Sequence, residues 1–319
     1  MNQWIRNLAI LLGLQVLIAL ALLAFGGGGS GDARVLASIE AEELAEFAIA
    51  DGEGNDARLV KADDGWQLES GLPADDAKVT ELLDKLTSLN AAWPVTESAS
   101  AHARFEVDAD NFQRRLTAGD AVLLFGTSPG YQQVHARNAS DDAVYAVKLA
   151  NHEMPADAED WLDKGLLQPS GTITGVRYGD ELALERGENG WQVGELEVSD
   201  ALANPVLDRL RNLRVLGVAE TEDDAVPETA TAIAVSDADG ELNLQFWKAA
   251  EDATDYLLRS SRYPDRAFRL ASYVADQLTP ELEDLREPEP GALTDVLGEA
   301  ADGLGLDGAS GALEALDEE

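Results

Sequence analysis

One six-residue pattern occurs twice in this chain and limits what it can fold into. Asp63-Asp64-Gly65-Trp66-Gln67-Leu68 returns as Glu188-Asn189-Gly190-Trp191-Gln192-Val193. Each copy is a polar turn with glycine running into alternating apolar residues, the signal of a β-hairpin. A Leu-rich stripe follows each copy: Val79, Leu82, Leu83, Leu86 and Leu89 after the first, Val206, Leu207, Leu210 and Leu213 after the second. That spacing buries one face of a helix, which Asp75 or Asp76 caps in the first copy and Asp200 in the second. Four strand candidates come next in both halves: 114–117, 121–125, 134–137 and 144–147, then 233–235, 242–247, 256–259 and 267–270. The offset stays nearly constant (191 − 66 = 125; 268 − 145 = 123), which predicts an internal repeat.

The predicted fold is α+β: two tandem homologous modules, 35–168 and 169–280, each a mostly antiparallel sheet with a packed helix. Short helices are expected over Glu40–Glu46 and Asp157–Leu167, the second burying Trp161, Leu162 and Leu166. Pro169-Ser170-Gly171 breaks the chain between the modules. Trp66 and Trp191 have two readings, module core or ligand-stacking platform, and an aromatic beside a turn favours the core.

Ahead of the modules, Leu8–Phe25 is uncharged and mostly apolar, with Arg6 before it and no acid until Asp32. Its length suits a transmembrane anchor over 1–25 better than a cleaved signal peptide. Arg6 places the N-terminus in the cytoplasm and the bulk of the chain on the periplasmic or extracytoplasmic side of the inner membrane. Residues 26–34, beginning Gly26-Gly27-Gly28-Gly29-Ser30-Gly31, form a flexible linker. Residues 281–319 make an acidic, low-complexity tail in which Leu293, Val296, Leu297, Ala300 and Leu304 keep helical spacing.

The 319 residues carry a formal net charge of −38, which opposes nucleic-acid binding. A salt-tolerant, halophilic source and a cationic partner both account for such a surface. There is no cysteine, so disulfides, thiol catalysis and Cys zinc sites are excluded. Asp51 and Asp237 each begin an imitation of a calcium loop. The glycine due at the sixth position is replaced by Asp56 and Leu242 respectively. His102, His135 and His152 lack the spacing of a helical zinc pair, and neither nucleophile elbow nor phosphate loop occurs. No catalytic, cofactor or metal residue is therefore expected. One cluster runs against the acidic background: Arg259, Arg262 and Arg266 with Tyr263, flanked by Arg269 and Tyr256. Arg and Tyr are favoured at interface centres, so Arg259, Arg262, Tyr263 and Arg266 are the candidate partner-binding residues, internal pairing being the other reading.

With the anchor, Lys61 through Leu68, the helix over 79–89, and Tyr263-Pro264-Asp265-Arg266-Ala267-Phe268 with Ala271-Ser272-Tyr273 in view, the chain resembles the domain of unknown function 4340 family of bacterial envelope proteins. The resemblance runs from Val35 to about Leu278. It implies an accessory protein of the envelope, in many members encoded beside components of gliding-type ABC transport systems, and it carries no catalytic residues over. The expected function is a non-enzymatic, membrane-tethered scaffold or accessory subunit whose partner is an envelope protein, an ABC permease or ATPase complex among the candidates. The alternative is a binder of a small or polymeric envelope ligand in the cleft between the modules.

Overall fold

The computed structural model describes residues 34–278, apart from 38, 92, 180–181, 221–225 and 238–239, together with Trp4, Leu12, Gln15 and Leu285. The expected anchor and tail lie outside the described residues save for those single positions, as does the linker except for Arg34. Among the described residues no helix is long and apolar enough to cross a membrane. The chain divides into two compact units, Met1–Asp163 and Lys164–Glu319.

In the first unit the chain runs through β1 (Arg34–Val35), β2 (Glu46–Ala50), β3 (Asp56–Ala62), β4 (Gly65–Leu68), α1 (Asp76–Thr87), β5 (Asn90–Ala91) and β6 (Pro94–Thr96). It continues through α2 (His102–Phe105), β7 (Arg114–Ala118), β8 (Ala121–Phe125), β9 (Val134–Asn138) and β10 (Val144–Val147). Strands β1 and β5 pair alone, and the other eight form one antiparallel sheet in the order β4-β3-β2-β7-β8-β9-β10-β6. Ala62 pairs with Gly65 across a two-residue loop, so the first hairpin forms where the glycine signal puts it. Gly65 has φ +128°, open to glycine and strained for any side chain. Trp66 N–H donates to Asp76 Oδ1 at 2.8 Å and so ties the hairpin to the first turn of α1. Asp75 caps that helix by accepting from Lys78 N–H at 3.1 Å.

Strand alternation puts Phe47, Ile49, Leu59, Trp66, Leu116, Leu123 and Phe125 on one sheet face. All are buried, as are Val79, Leu82, Leu83 and Leu86 of α1. A helix this short is marginal alone. Burying four such side chains contributes on the order of 6–12 kcal/mol, which decides the matter. Trp161 closes this core, its ring edge-on to Phe47 at 6.2 Å between centroids.

The second unit contains β11 (Gly175–Tyr178), β12 (Leu182–Arg186), β13 (Trp191–Val193), β14 (Leu196–Val198), α3 (Asp200–Arg211) and β15 (Gly217–Val218). Then follow β16 (Thr231–Asp237), β17 (Gly240–Lys248), β18 (Asp255–Ser260), β19 (Tyr263–Ala271) and α4 (Ser272–Gln277). Its nine strands form one antiparallel sheet, β14-β13-β12-β11-β16-β17-β18-β19-β15. With β14 set aside, this is the strand order of the first sheet position by position. Each unit is a mostly antiparallel sheet with few helices, an α+β architecture.

Several local expectations fail for identifiable reasons. Glu40–Glu46 is no helix: Glu43 N–H reaches Glu40 C=O at 3.1 Å in a single turn, and Glu46 already pairs with Val60. Asp157–Leu167 yields only a 3-10 turn, Ala158–Trp161. Leu162 then turns extended and bridges Ala74, and Asp163 N–H donates to Pro73 C=O at 2.9 Å. Trp161, Leu162 and Leu166 are buried as expected, on a backbone that is not an α-helix. Asp200 is the first residue of α3 and Ser199 holds the capping position. The break between units falls before Lys164 and not at Pro169. Lys164 C=O accepts from Val215 N–H at 2.9 Å, and Arg262 binds the carbonyls of Leu166 and Gln168, so this segment belongs to the second unit.

Candidate functional site

The four candidate partner residues lie on β18, β19 and the turn between them, and the structure does not gather them onto one face. Register pairs Gln245 with Arg259, Arg259 with Ala267, Trp247 with Leu257, and Leu257 with Arg269. These six therefore share a sheet face. Arg259 is half-buried there, its guanidinium carbon 5.8 Å from the Trp247 ring centroid. Arg266 alternates with Ala267 and falls with Phe268 on the core side of β19. Tyr263 packs its ring edge-on to Phe268, 5.8 Å between centroids. Arg262 sits in the turn and acts as a clamp. Its Nη1 donates to Leu166 C=O at 2.7 Å and to Gln168 C=O at 3.1 Å, and its Nη2 to Ser170 Oγ at 3.1 Å. Internal use of Arg262 thus involves backbone carbonyls, which sequence spacing could not show.

The equivalent face of the first unit is covered by the chain itself. There the segment between β6 and β7 crosses the sheet, and Val107 with Phe105 and Phe112 packs on Leu124 and Val144. The approach is close: a Cβ on Gly126 would stand 2.0 Å from Phe105 C=O. Arg137, opposite Val144 as Arg259 is opposite Ala267, is buried beneath this cover. Its Nε donates to Val107 C=O at 2.8 Å, and its Nη1 to Asp141 C=O at 3.0 Å, with Asn138 and Ala139 carbonyls at 3.4 and 3.3 Å. The same strand position thus carries a fully enclosed arginine in one unit and a half-exposed one in the other.

The remaining candidates resolve into structural roles. Trp66 and Trp191 are buried, with only 7% and 2% of their surfaces exposed, so neither is an open stacking platform. Each instead has a cross-strand cation over its ring: Lys61 Nζ at 6.0 Å from Trp66, and the Arg186 guanidinium at 5.6 Å from Trp191. His102 Nε2 lies 2.8 Å from Asp142 C=O. His135 is buried against Phe105, with Nδ1 2.9 Å from Thr127 Oγ1, and burial holds its pKa below the usual imidazole value. His152 stands exposed in a 3-10 turn. Among the described residues no three His, Asp or Glu side chains are grouped to hold a metal ion. Tyr178, on the inner strand β11, keeps a buried hydroxyl without a hydrogen-bond partner, and burial pushes its pKa up.

Two open antiparallel sheets built to one strand order, each with its Gly-Trp hairpin leading into a helix, define a two-unit α+β protein. The chain belongs to the family described as "Domain of unknown function (DUF4340)", whose model matches residues 66–232, more than half of its length. The match begins on the first hairpin tryptophan and ends in β16, and so spans the boundary between the units. No curated protein and no solved structure matches the chain.

Proposed function

We propose that this chain is a non-enzymatic accessory or scaffold subunit of the bacterial envelope, held at the inner membrane by residues 1–25. The Leu8–Phe25 run and Arg6 support the anchor and its orientation, with the two units on the extracytoplasmic side. The shared strand order, together with the repeated hairpin and helix, supports descent of both units from one duplicated module. The partner is a protein, and an ABC transport complex is the assembly we favour.

The observation that carries this reading is the Arg259–Trp247 face. In the first unit a segment of the chain itself covers this face and encloses Arg137. In the second, Arg259 is half-exposed over an aromatic ring in a chain of net charge −38. A partner segment carrying carboxylates would meet Arg259 and Arg269, both half-exposed on this face beside the buried Trp247. Arginine over aromatic rings is a combination favoured at interface centres. The test is crosslinking in native membranes followed by mass spectrometry of what is recovered with the full-length chain. Arg259→Glu with Arg269→Glu is expected to lose the partner while circular dichroism stays unchanged, and Arg266→Glu is expected to retain it. Recovery of the chain alone from wild-type membranes would overturn the reading.

A further inference from the structure

The first unit carries a second exposed feature, away from the sheet face just described. The loop between β8 and β9 makes a tight turn, Gly130–Gln133, in which Gln133 N–H donates to Gly130 C=O at 3.3 Å. Ser128 Oγ fixes it, lying 2.8 Å from Gly130 C=O and 2.7 Å from Gln133 C=O. At its tip Tyr131 is 89% exposed, among the most exposed large apolar side chains described. Beside it Gln132 has φ +51°, a conformation in which glycine is at ease and glutamine is strained. A turn held this firmly around a strained glutamine and a bare tyrosine breaks a local rule, and such breaks concentrate where a side chain is needed for contact.

The turn forms one wall of a cavity of about 310 Å³. Buried Leu149 supplies an apolar patch, and Lys85, Lys148 and Glu153 line the rest with Gln132 and Gln133. Glu153 is committed on one side only: Oε1 lies 3.4 Å from Lys85 Nζ, whereas Oε2 is buried with no hydrogen-bond partner. Lys85 is already held by Glu81 at 2.7 Å. The cavity therefore presents two amide groups that both donate and accept, an ammonium donor and an aromatic ring at the rim. Its volume is at the lower end for a small-molecule site and suits one or two hexose rings.

We infer that this cavity binds a sugar chain, with Tyr131 stacking on the apolar face of a pyranose ring and Gln132, Gln133 and Lys148 pairing with its hydroxyls. Sugar rings offer apolar C–H faces and a rim of hydroxyls that both donate and accept, which is the complement of this lining. The inference is independent of the protein-partner reading, since it lies in the other unit and involves none of the same side chains.

The test is isothermal calorimetry of the full-length chain, in a detergent without a sugar head group, against cellotetraose, chitotetraose and maltotetraose. At least one is expected to bind with a Kd of about 0.1–1 mM, the range of weak recognition by a shallow site. Tyr131→Ala should weaken that binding about tenfold or more, and Lys148→Ala by less. Gln132→Gly should weaken binding while raising the melting temperature, a combination that a purely structural glutamine would not give. No binding of any of the three, or binding unchanged by Tyr131→Ala, overturns the inference.

Discussion

Changing Gly65 and Gly190 to alanine separates two effects, because the units supply each other's control. Both glycines precede the hairpin tryptophan and both have positive φ, +128° and +142°. Alanine at either position pays backbone strain of about 1–3 kcal/mol. Their surroundings differ. A Cβ at Gly65 would stand 2.4 Å from Asp76 Oδ2, whereas a Cβ at Gly190 would meet nothing within 4 Å. Asp76 must therefore move, and its hydrogen bond from Trp66 N–H at 2.8 Å is lost. A hydrogen bond to a carboxylate contributes about 1.5–3 kcal/mol. Gly65→Ala should thus cost about 1.5–3 kcal/mol more than Gly190→Ala, which for a unit of this size is worth roughly 2–4 °C of melting temperature per kcal/mol. The assay is urea and thermal unfolding with the two units followed as separate transitions. Asp76→Ala makes room for the new methyl, so the double variant Gly65→Ala/Asp76→Ala should cost less than the sum of the two single changes. Equal penalties for the two glycines, or additivity within about 0.5 kcal/mol, would refute the argument.

Arg137→Ala should destabilise the first unit by about 3 kcal/mol, since it strands the buried Val107 carbonyl and empties the space of a buried side chain, while Arg259→Ala should cost under ~1 kcal/mol; chemical denaturation of each variant compares them. His135 has its pKa lowered by burial, so the unfolded chain takes up a proton first as the medium acidifies. The first unit should therefore lose stability as pH falls below about 6.5, and the loss should level off below the folded value, with His135→Gln flattening that part of the profile measured by thermal unfolding. Tyr178→Phe removes a buried hydroxyl that has no partner and should be neutral or stabilising by up to about 1 kcal/mol in urea titration; a loss above that would mean the hydroxyl is satisfied. Melting temperature should rise with added salt, because screening relieves the self-repulsion of a −38 chain, and a flat salt titration would dismiss that account of the acidic surface.

The repeated elements were legible because their signals are local. Gly65 and Gly190 marked the hairpins, and the stripes Val79–Leu86 and Val206–Leu210 marked the helices over the ranges observed. The strand candidates after each helix also fall on β7–β10 and β16–β19. What the sequence concealed depends on partners distant along the chain. Trp161 and Leu162 read as helical, but a bridge to Ala74 fixed their backbone. Arg262 stood out by charge, yet its carbonyl partners lie some ninety residues earlier. Arg259 and Arg266 fall on opposite faces because Arg259 pairs with Ala267 across a turn whose register is irregular between Arg259 and Ser260, and counting along the chain does not fix which face each takes. The Tyr131 turn left no sequence signal beyond Ser128-Pro129-Gly130, because Gln132 occupies a position where a glycine would have announced it.

The common strand order also dictates how the chain must assemble. In each sheet the strand that comes first along the chain, β2 or β11, has one neighbour far along the chain: Ile49 pairs with Leu116, and Val176 with Val235. Neither sheet can join its two halves until a loop of 67 or 59 residues has closed (116 − 49 = 67; 235 − 176 = 59). Those closures differ by only about 0.1 kcal/mol in entropy. Loop length therefore gives neither half a head start, and β2 and β11 emerge as rival docking strands for β7 and β16. Order of synthesis breaks the tie: the first half can seal its sheet before β16 leaves the ribosome. Refolding the whole chain from denaturant removes that advantage and exposes it to mispairing between its halves.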